Sequence, residues 1–106
     1  MPKYLIQANY STNGIKGVLR DGGTSRRQAV QRMTESVGGR VEQMYFAFGD
    51  SDVYVIVDMP NNVASAAVGL TVSAAGGART KTVVLLTPEE VDEAARQEVD
   101  YRAPGT

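Results

Sequence analysis

The chain has 106 residues, of which 42% are hydrophobic and 22% charged, an ordinary composition for a globular protein. Its 11 basic and 12 acidic side chains give a formal net charge of -1, without the basic excess typical of nucleic-acid-binding domains. Cys and His are both absent, which excludes disulfides, thiol nucleophiles, Cys/His zinc sites, Ser-His-Asp triads and a haem-binding histidine.

The length predicts one domain over residues 1–99, with an extended or mobile tail over residues 100–106. No apolar run approaches the roughly 20 residues that cross a bilayer, so we expect no membrane partner. A strand pattern begins directly after the first residues, without the pattern of a signal peptide, and we therefore expect a cytoplasmic protein.

The first predicted elements are a strand and a short helix. Residues Lys3 to Tyr10 alternate imperfectly between apolar and polar side chains, which is typical of a strand. Ser11 or Thr12 can cap the helix that follows, and Asp21-Gly22-Gly23 interrupts it.

A second helix is predicted to start at Ser25, because Gln28 completes a capping box, and to end at Gly38-Gly39. The segment Gly22-Gly23-Thr24-Ser25-Arg26-Arg27 also allows a phosphate or carboxylate site at a helix N-terminus. Its spacing matches neither the Walker loop nor the dinucleotide fingerprint, so capping with solvated arginines is the favoured interpretation.

Two aromatic-rich runs in mid-chain predict a β-hairpin with strands over Arg40 to Phe48 and Asp52 to Met59. The turn is Gly49-Asp50-Ser51, in which we expect Gly49 to adopt a positive φ and the other two side chains to bond locally.

The last part of the chain predicts a helix, a strand and a short helix. The first of these helices follows Pro60-Asn61-Asn62 and ends at Gly76-Gly77, and Arg79 to Leu86 forms the fourth strand. Thr87-Pro88-Glu89-Glu90 is a strong start for the final helix. The apolar face predicted for the longer helix comprises Val63, Ala66, Ala67, Leu70 and Ala74.

The resulting order, β-α-β-β-α-β plus a C-terminal helix, predicts an α+β, ferredoxin-like fold with a four-stranded antiparallel sheet. Right-handed crossovers place the main helices on one face of that sheet and leave the other face open. The fourth strand is apolar on both faces, with Val83 and Leu85 on one and Val84 and Leu86 on the other. We therefore expect a homodimer that forms through the open face, with further pairing of dimers left open.

These segments together resemble the GYD-domain family, a group of small bacterial proteins without an established activity. The resemblance rests on the opening strand, Gly38-Gly39-Arg40-Val41, the turn from Gly49 to Asp52, and Arg79-Thr80-Lys81-Thr82. The family signature, Gly-Tyr-Asp with one residue often inserted after Gly, matches Gly49 and Asp52, but Ser51 stands at the Tyr position. The resemblance implies the dimeric α/β-barrel type of fold, which includes cofactor-free monooxygenases and isomerases as well as proteins that only bind.

Candidate site residues follow from strand parity and from the resemblance. Asp52 can act as an acid, base or polar anchor, or it can bond turn amides and stabilise the hairpin; the structural role is favoured. Gly49 has a conformational role. The polar side chains expected on the open face, either in a ligand cleft or in a subunit interface, are Gln7, Asn9, Tyr45, Tyr54 and Asp58. Arg40 and Arg79 are the candidates for holding an anionic group.

Two functions therefore remain open from sequence. The first is a homodimeric binding or structural module, with a small molecule as a further partner and no cofactor or metal. The second is a cofactor-free enzyme in which Asp52 or a tyrosine moves a proton and Arg40 or Arg79 holds an anionic oxygen. An enclosed pocket of about 300 Å³ or more, lined by a titratable side chain, would favour the enzyme, whereas a dry, filled interface would favour the first function. RNA binding is disfavoured because the charge is wrong and the RNA-recognition signature is absent.

Overall fold

The computed structural model describes the whole chain, from Met1 to Thr106, as four strands and four helices. In chain order these are β1 (Lys3–Tyr10), α1 (Thr12–Asp21), α2 (Gly23–Ser36), β2 (Arg40–Phe46), β3 (Val53–Asp58), α3 (Asn62–Ala75), β4 (Ala78–Leu85) and α4 (Pro88–Ala95).

The strands form one antiparallel sheet in the order β2-β3-β1-β4. This confirms the predicted α+β class, and the element order is consistent with the ferredoxin-like arrangement. Two consecutive helices, α1 and α2, occupy the first crossover, as the interruption at Asp21-Gly22-Gly23 predicts.

The core lies between the sheet and the helices. Alternate residues of the two central strands are buried there, and Val30 of α2 and Val68 of α3 pack against them. We call this side of the sheet the helix face. Its buried strand residues are Tyr4, Ile6, Ala8, Val53, Val55, Val57 and Ala78.

Local sequence signals account for most helix ends. The Ser11 side chain caps α1 by accepting a hydrogen bond from the Gly14 N–H at 3.1 Å. Gly76 ends α3 in the left-handed conformation. At α4, Thr87 and Glu90 form the predicted reciprocal capping box.

The predicted start of α2 at Ser25 is wrong. The helix begins at Gly23, and its N-cap is Gly22, which has a φ of 85° and provides no side-chain cap. Glycine reaches this φ without a steric penalty, so the chain turns sharply between α1 and α2, two residues before the expected cap. Ser25 lies instead within the first turn of α2.

The predicted apolar face of α3 is also wrong. Leu70 is 72% exposed and Val63 is 77% exposed, whereas Ser65 and Val68 are buried. Because α3 carries apolar side chains on every side, its sequence contains no strong preference for one orientation. The face that packs includes Gly69, where an added Cβ would lie 3.6 Å from the Thr80 hydroxyl of β4.

The hairpin strands are shorter than predicted, and the connection between them runs over residues 47–52. It is closed by a hydrogen bond from the Ala47 N–H to the Asp52 carbonyl at 2.8 Å. Gly49 does not adopt a positive φ, so the expected conformational role of this glycine is wrong. A bulge between Val41 and Gln43 shifts the β2–β3 register by one residue.

The C-terminal segment packs little against the rest of the chain. Every residue from Pro88 to Thr106 is exposed. The radius of gyration is 16.9 Å, compared with about 13 Å for a compact domain of this length. None of the four helices has the length and apolar character needed to span a bilayer.

Candidate functional site

The side of the sheet opposite the helix face is the open face. The strand pairings place four rows of residues across it, because directly paired residues point to the same side. The rows are Arg40, Asp58, Lys3 and Leu85; Gln43, Ile56, Leu5 and Val83; Tyr45, Tyr54, Gln7 and Lys81; and Asn9 with Arg79.

The centre of the open face is an apolar row. Leu5 pairs with Ile56 on one side and with Val83 on the other, so three aliphatic side chains stand next to one another across three strands. All three retain solvent exposure in the single chain. The apolar character that the sequence predicts for the open face therefore comes mainly from this row.

One end of the open face carries an ion cluster. The Asp58 carboxylate is only 5% exposed and accepts hydrogen bonds from Lys3 Nζ and Arg40 Nη2, both at 2.9 Å. The Lys3 ammonium and then the Arg40 guanidinium hold the pKa of Asp58 below its ordinary value, against the opposing effect of burial. Lys3 also bonds Glu42, and the two carboxylates raise the pKa of Lys3. Asp58 thus lies at the centre of an ion network with Lys3, Arg40 and Glu42.

At the other end of the open face, the hairpin loop forms hydrogen bonds with the end of β1. The Asp52 carboxylate accepts a hydrogen bond from the Tyr10 N–H at 2.9 Å, where β1 ends. The Asp52 N–H donates to the Ala8 carbonyl at 2.9 Å and to Asn9 Oδ1 at 3.1 Å. Ser51, at the signature Tyr position, is 6% exposed and donates to Gln7 Oε1 at 3.3 Å. The loop is thereby tied to the end of β1.

In the favoured structural role, the sequence predicts that Asp52 bonds amides within its own turn, over residues 49–54. Its partner instead belongs to β1, because the loop folds back over the strand next to β3. No short-range sequence signal indicates this contact, since Asp52 and Tyr10 are 42 residues apart.

The predicted ligand residues fall into separate groups on the open face. Tyr45 pairs directly with Tyr54, and Asn9 pairs directly with Arg79. Arg40 lies in the same row as Lys3. Lys3 and Asn9 are six residues apart on β1, so the row that contains Arg40 is about 20 Å from the row that contains Asn9. The Tyr45–Tyr54 pair and the Asn9–Arg79 pair therefore lie in adjacent rows, on opposite halves of the sheet, whereas Arg40 belongs to the ion cluster.

The two main cavities lie on the helix face. The larger has a volume of about 460 Å³ and lies between α1, α2 and the end of α3, with Tyr10 and Arg26 in its lining. The sequence predicts a ligand pocket on the open face, and this cavity is not that pocket. Its lining includes Gly22, Ser25 and Arg26, from the segment that allows an anion site by sequence but for which capping with solvated arginines is the favoured interpretation.

No group of three or more acidic side chains is placed to hold a metal ion. The arrangement offers hydrogen-bond donors, two tyrosines and cations on the open face, and an arginine in the helix-face cavity.

A family model for the GYD domain matches residues 4–95, which include the hairpin loop and, apart from Lys3, all four strands. No curated protein and no solved structure matches the chain significantly. Because the family model covers most of the 106 residues, the chain belongs to the GYD-domain family.

Proposed function

We propose that the protein is a homodimeric binding module in which two copies meet through their open faces and hold a small ligand at the Tyr45–Tyr54 end. The observation that carries the proposal is the apolar row of Leu5, Ile56 and Val83, which no helix of the same chain covers. Contiguous apolar patches of this kind mark interaction surfaces on soluble proteins.

The size of the open face supports a second copy as the occupant. Four strands spaced at about 4.8 Å, the longest with eight residues at about 3.3 Å each, give a planar footprint of at most about 500 Å². A standard interface buries about 800 Å² per partner. Side-chain relief raises the accessible area above the footprint, and the exposed C-terminal segment supplies Val91, Val99 and Tyr101 as further apolar contacts.

The ligand part of the proposal rests on the polar end of the same face. Tyr45 and Tyr54 lie in the row next to the apolar centre, and Arg79 lies one row further along β4. Pairing of two copies would partly enclose these groups between apolar walls, which is the usual composition of a small-molecule site.

The alternative, a cofactor-free monooxygenase or isomerase, depended first on Asp52 as the proton carrier. The hydrogen bond from the Tyr10 N–H occupies one oxygen of this carboxylate and gives it a structural partner. We therefore favour binding over catalysis for the open face.

Sedimentation velocity at micromolar concentration tests the dimer. We expect twice the chain mass of 11.3 kDa for the wild type and a folded monomer for Ile56→Glu, because the charge would be buried without a partner. Leu70→Glu is the matched control: it places the same charge on exposed α3 and should remain dimeric. A monomeric wild type would refute the proposal.

Native mass spectrometry of freshly purified protein tests the ligand. We expect a dimer carrying additional mass that Arg79→Gln removes. A dimer without added mass, or added mass that Arg79→Gln retains, contradicts the ligand part while leaving the dimer intact.

A further inference from the structure

The helix-face cavity is large enough for a small molecule and is formed within a single chain. Its volume of about 460 Å³ falls in the range of ligand pockets, roughly 300 to 1,000 Å³. At roughly 30 Å³ for each water-sized group, it has room for about 15 non-hydrogen atoms. Val18, Met33 and Val72 provide apolar walls from three different helices.

Small residues keep this space open. Gly14 and Gly17 of α1, Ala29 of α2 and Ala75 of α3 all line the cavity. A Cβ added at Gly17 would meet nothing closer than Arg20 Nη2, at 4.0 Å. Position 17 therefore faces free volume, which a larger side chain would fill.

Arg26 supplies a charge that no acidic group balances. It forms no salt bridge, and its Nε is buried without a hydrogen-bond partner. Its guanidinium carbon lies 5.9 Å from the centre of the Tyr10 ring, a cation–π arrangement that holds the charge at the cavity. A buried donor without an acceptor carries a free-energy cost, which an acceptor on a bound ligand would remove.

The other charged groups of the lining do not fill this role. Arg20 and Asp21 pair with each other through two hydrogen bonds, at 3.0 and 3.2 Å. The Arg20 guanidinium lowers the pKa of Asp21. The lining therefore has a net positive charge, and that charge resides on Arg26.

A second, smaller cavity extends the site toward the core. Its volume is about 40 Å³, and it shares Tyr10, Arg26, Met33, Val72 and Ala78 with the larger one. Arg26 thus lies between the helix-face cavity and this second, smaller cavity.

We propose that the helix-face cavity binds a small organic anion, with its carboxylate or phosphate on Arg26 and its apolar body against Val18, Met33 and Val72. The planar fork of a guanidinium matches the oxygens of both anionic groups. The Ser25 side chain at the start of α2 also lines the cavity and provides a hydroxyl for the same group. This site lies on the opposite side of the sheet from the proposed dimer interface, so either proposal can fail without the other.

Heteronuclear NMR titration of the full chain tests the proposal with phenylacetate, octanoate and phenyl phosphate, each up to about 10 mM. We expect at least one of these anions to shift the amides of Gly14, Gly17 and Gly77. Phenylacetamide and 1-octanol, which lack the charge, should bind about tenfold more weakly or not at all. A preference for phenyl phosphate over both carboxylates would identify the anionic group as a phosphate.

Three variants locate the binding. Arg26→Gln should weaken binding about tenfold or more, whereas Arg27→Gln, an exposed neighbour outside the lining, should leave it unchanged. Gly17→Leu should abolish binding without lowering the thermal midpoint, because its side chain enters free volume.

Three results would overturn the proposal: no shift with any of the three anions, equal affinity for the uncharged compounds, or wild-type affinity in Arg26→Gln or Gly17→Leu.

Discussion

Two glycines one helical turn apart in α1 should respond to alanine in opposite directions. A Cβ at Gly14 would lie 2.0 Å from the Gly77 carbonyl oxygen, a separation that real Cβ atoms do not adopt. A Cβ at Gly17 would meet only Arg20 Nη2, at 4.0 Å. Gly14 therefore allows the close approach of α1 to the turn between α3 and β4, and Gly17 does not serve this purpose.

The magnitudes follow from the contacts at Gly77. Either substitution gains about 0.5–1 kcal/mol from helix propensity. Gly14→Ala must also displace the Gly77 carbonyl by at least about 1 Å, which strains the bonds it accepts from the Ser11 N–H at 3.0 Å and Ser11 Oγ at 3.2 Å. Losing two bonds at about 1 kcal/mol each, with about 1–3 kcal/mol of overpacking, gives a net loss of about 2–4 kcal/mol.

Thermal unfolding followed by circular dichroism measures both effects. A change of 1 kcal/mol corresponds to about 4–8 °C for a domain near 100 residues, so Gly14→Ala should lower the midpoint by about 10 °C or more. Gly17→Ala should raise it by a few degrees. A Gly14→Ala protein with the wild-type midpoint would refute the close approach of α1 to Gly77.

Two further substitutions test the ion cluster and the hairpin loop. Asp58→Asn should cost about 1–3 kcal/mol at neutral pH in urea unfolding, because it removes the negative charge and one of the two oxygens that accept from Lys3 and Arg40. The pKa of Asp58 is lowered in the folded state, so its stabilisation exists above the unfolded pKa and is lost as pH falls through the folded value. The difference between variant and wild type should shrink below about pH 4, and a constant difference down to about pH 2 would contradict this assignment. Gly49→Ala should change stability by less than about 0.5 kcal/mol, since its φ is not positive and nothing lies within 4 Å of the new Cβ; a loss of about 1 kcal/mol would contradict it.

The sequence predicts the elements of this fold because their ends carry local chemistry. Ser11, Gly76 and the Thr87–Glu90 pair each act within a few residues, so their patterns identify helix ends without knowledge of the tertiary structure. The alternation of β3 likewise assigns Val53, Val55 and Val57 to one face, and this is the face that packs against the helices.

The prediction fails where packing between distant segments decides the outcome. The apolar residues of α3 surround the helix, so the buried face depends on the approach of Gly69 to β4 rather than on the periodicity of α3. The start of α2 depends on the turn at Gly22, which competes with a valid capping pattern at Ser25. The helix-face cavity depends on the relative positions of three helices, so the glycines and arginines at the start of α2 do not by themselves indicate its walls.

Asp52 connects the family signature to the helix-face cavity. Its carboxylate accepts a hydrogen bond from the Tyr10 N–H, and the Tyr10 ring lies under the Arg26 guanidinium. The loop residue that the sequence singled out for function thus contacts the backbone of a residue that supports the proposed anion site. We therefore expect Asp52 to act as a positioning residue for Arg26.

Asp52→Ala should weaken phenylacetate binding several-fold in the NMR titration, because Tyr10 loses the bond that holds it at the end of β1. Asp52→Asn, which keeps an oxygen acceptor, should restore most of the affinity. Asp50→Ala is the control, since Asp50 is exposed in the same loop and forms no side-chain bond. A merely stabilising Asp52 would lower the thermal midpoint of Asp52→Ala without changing the dissociation constant of the folded protein. That result would show that Asp52 does not influence binding in the cavity, and that binding there depends on Arg26 without it.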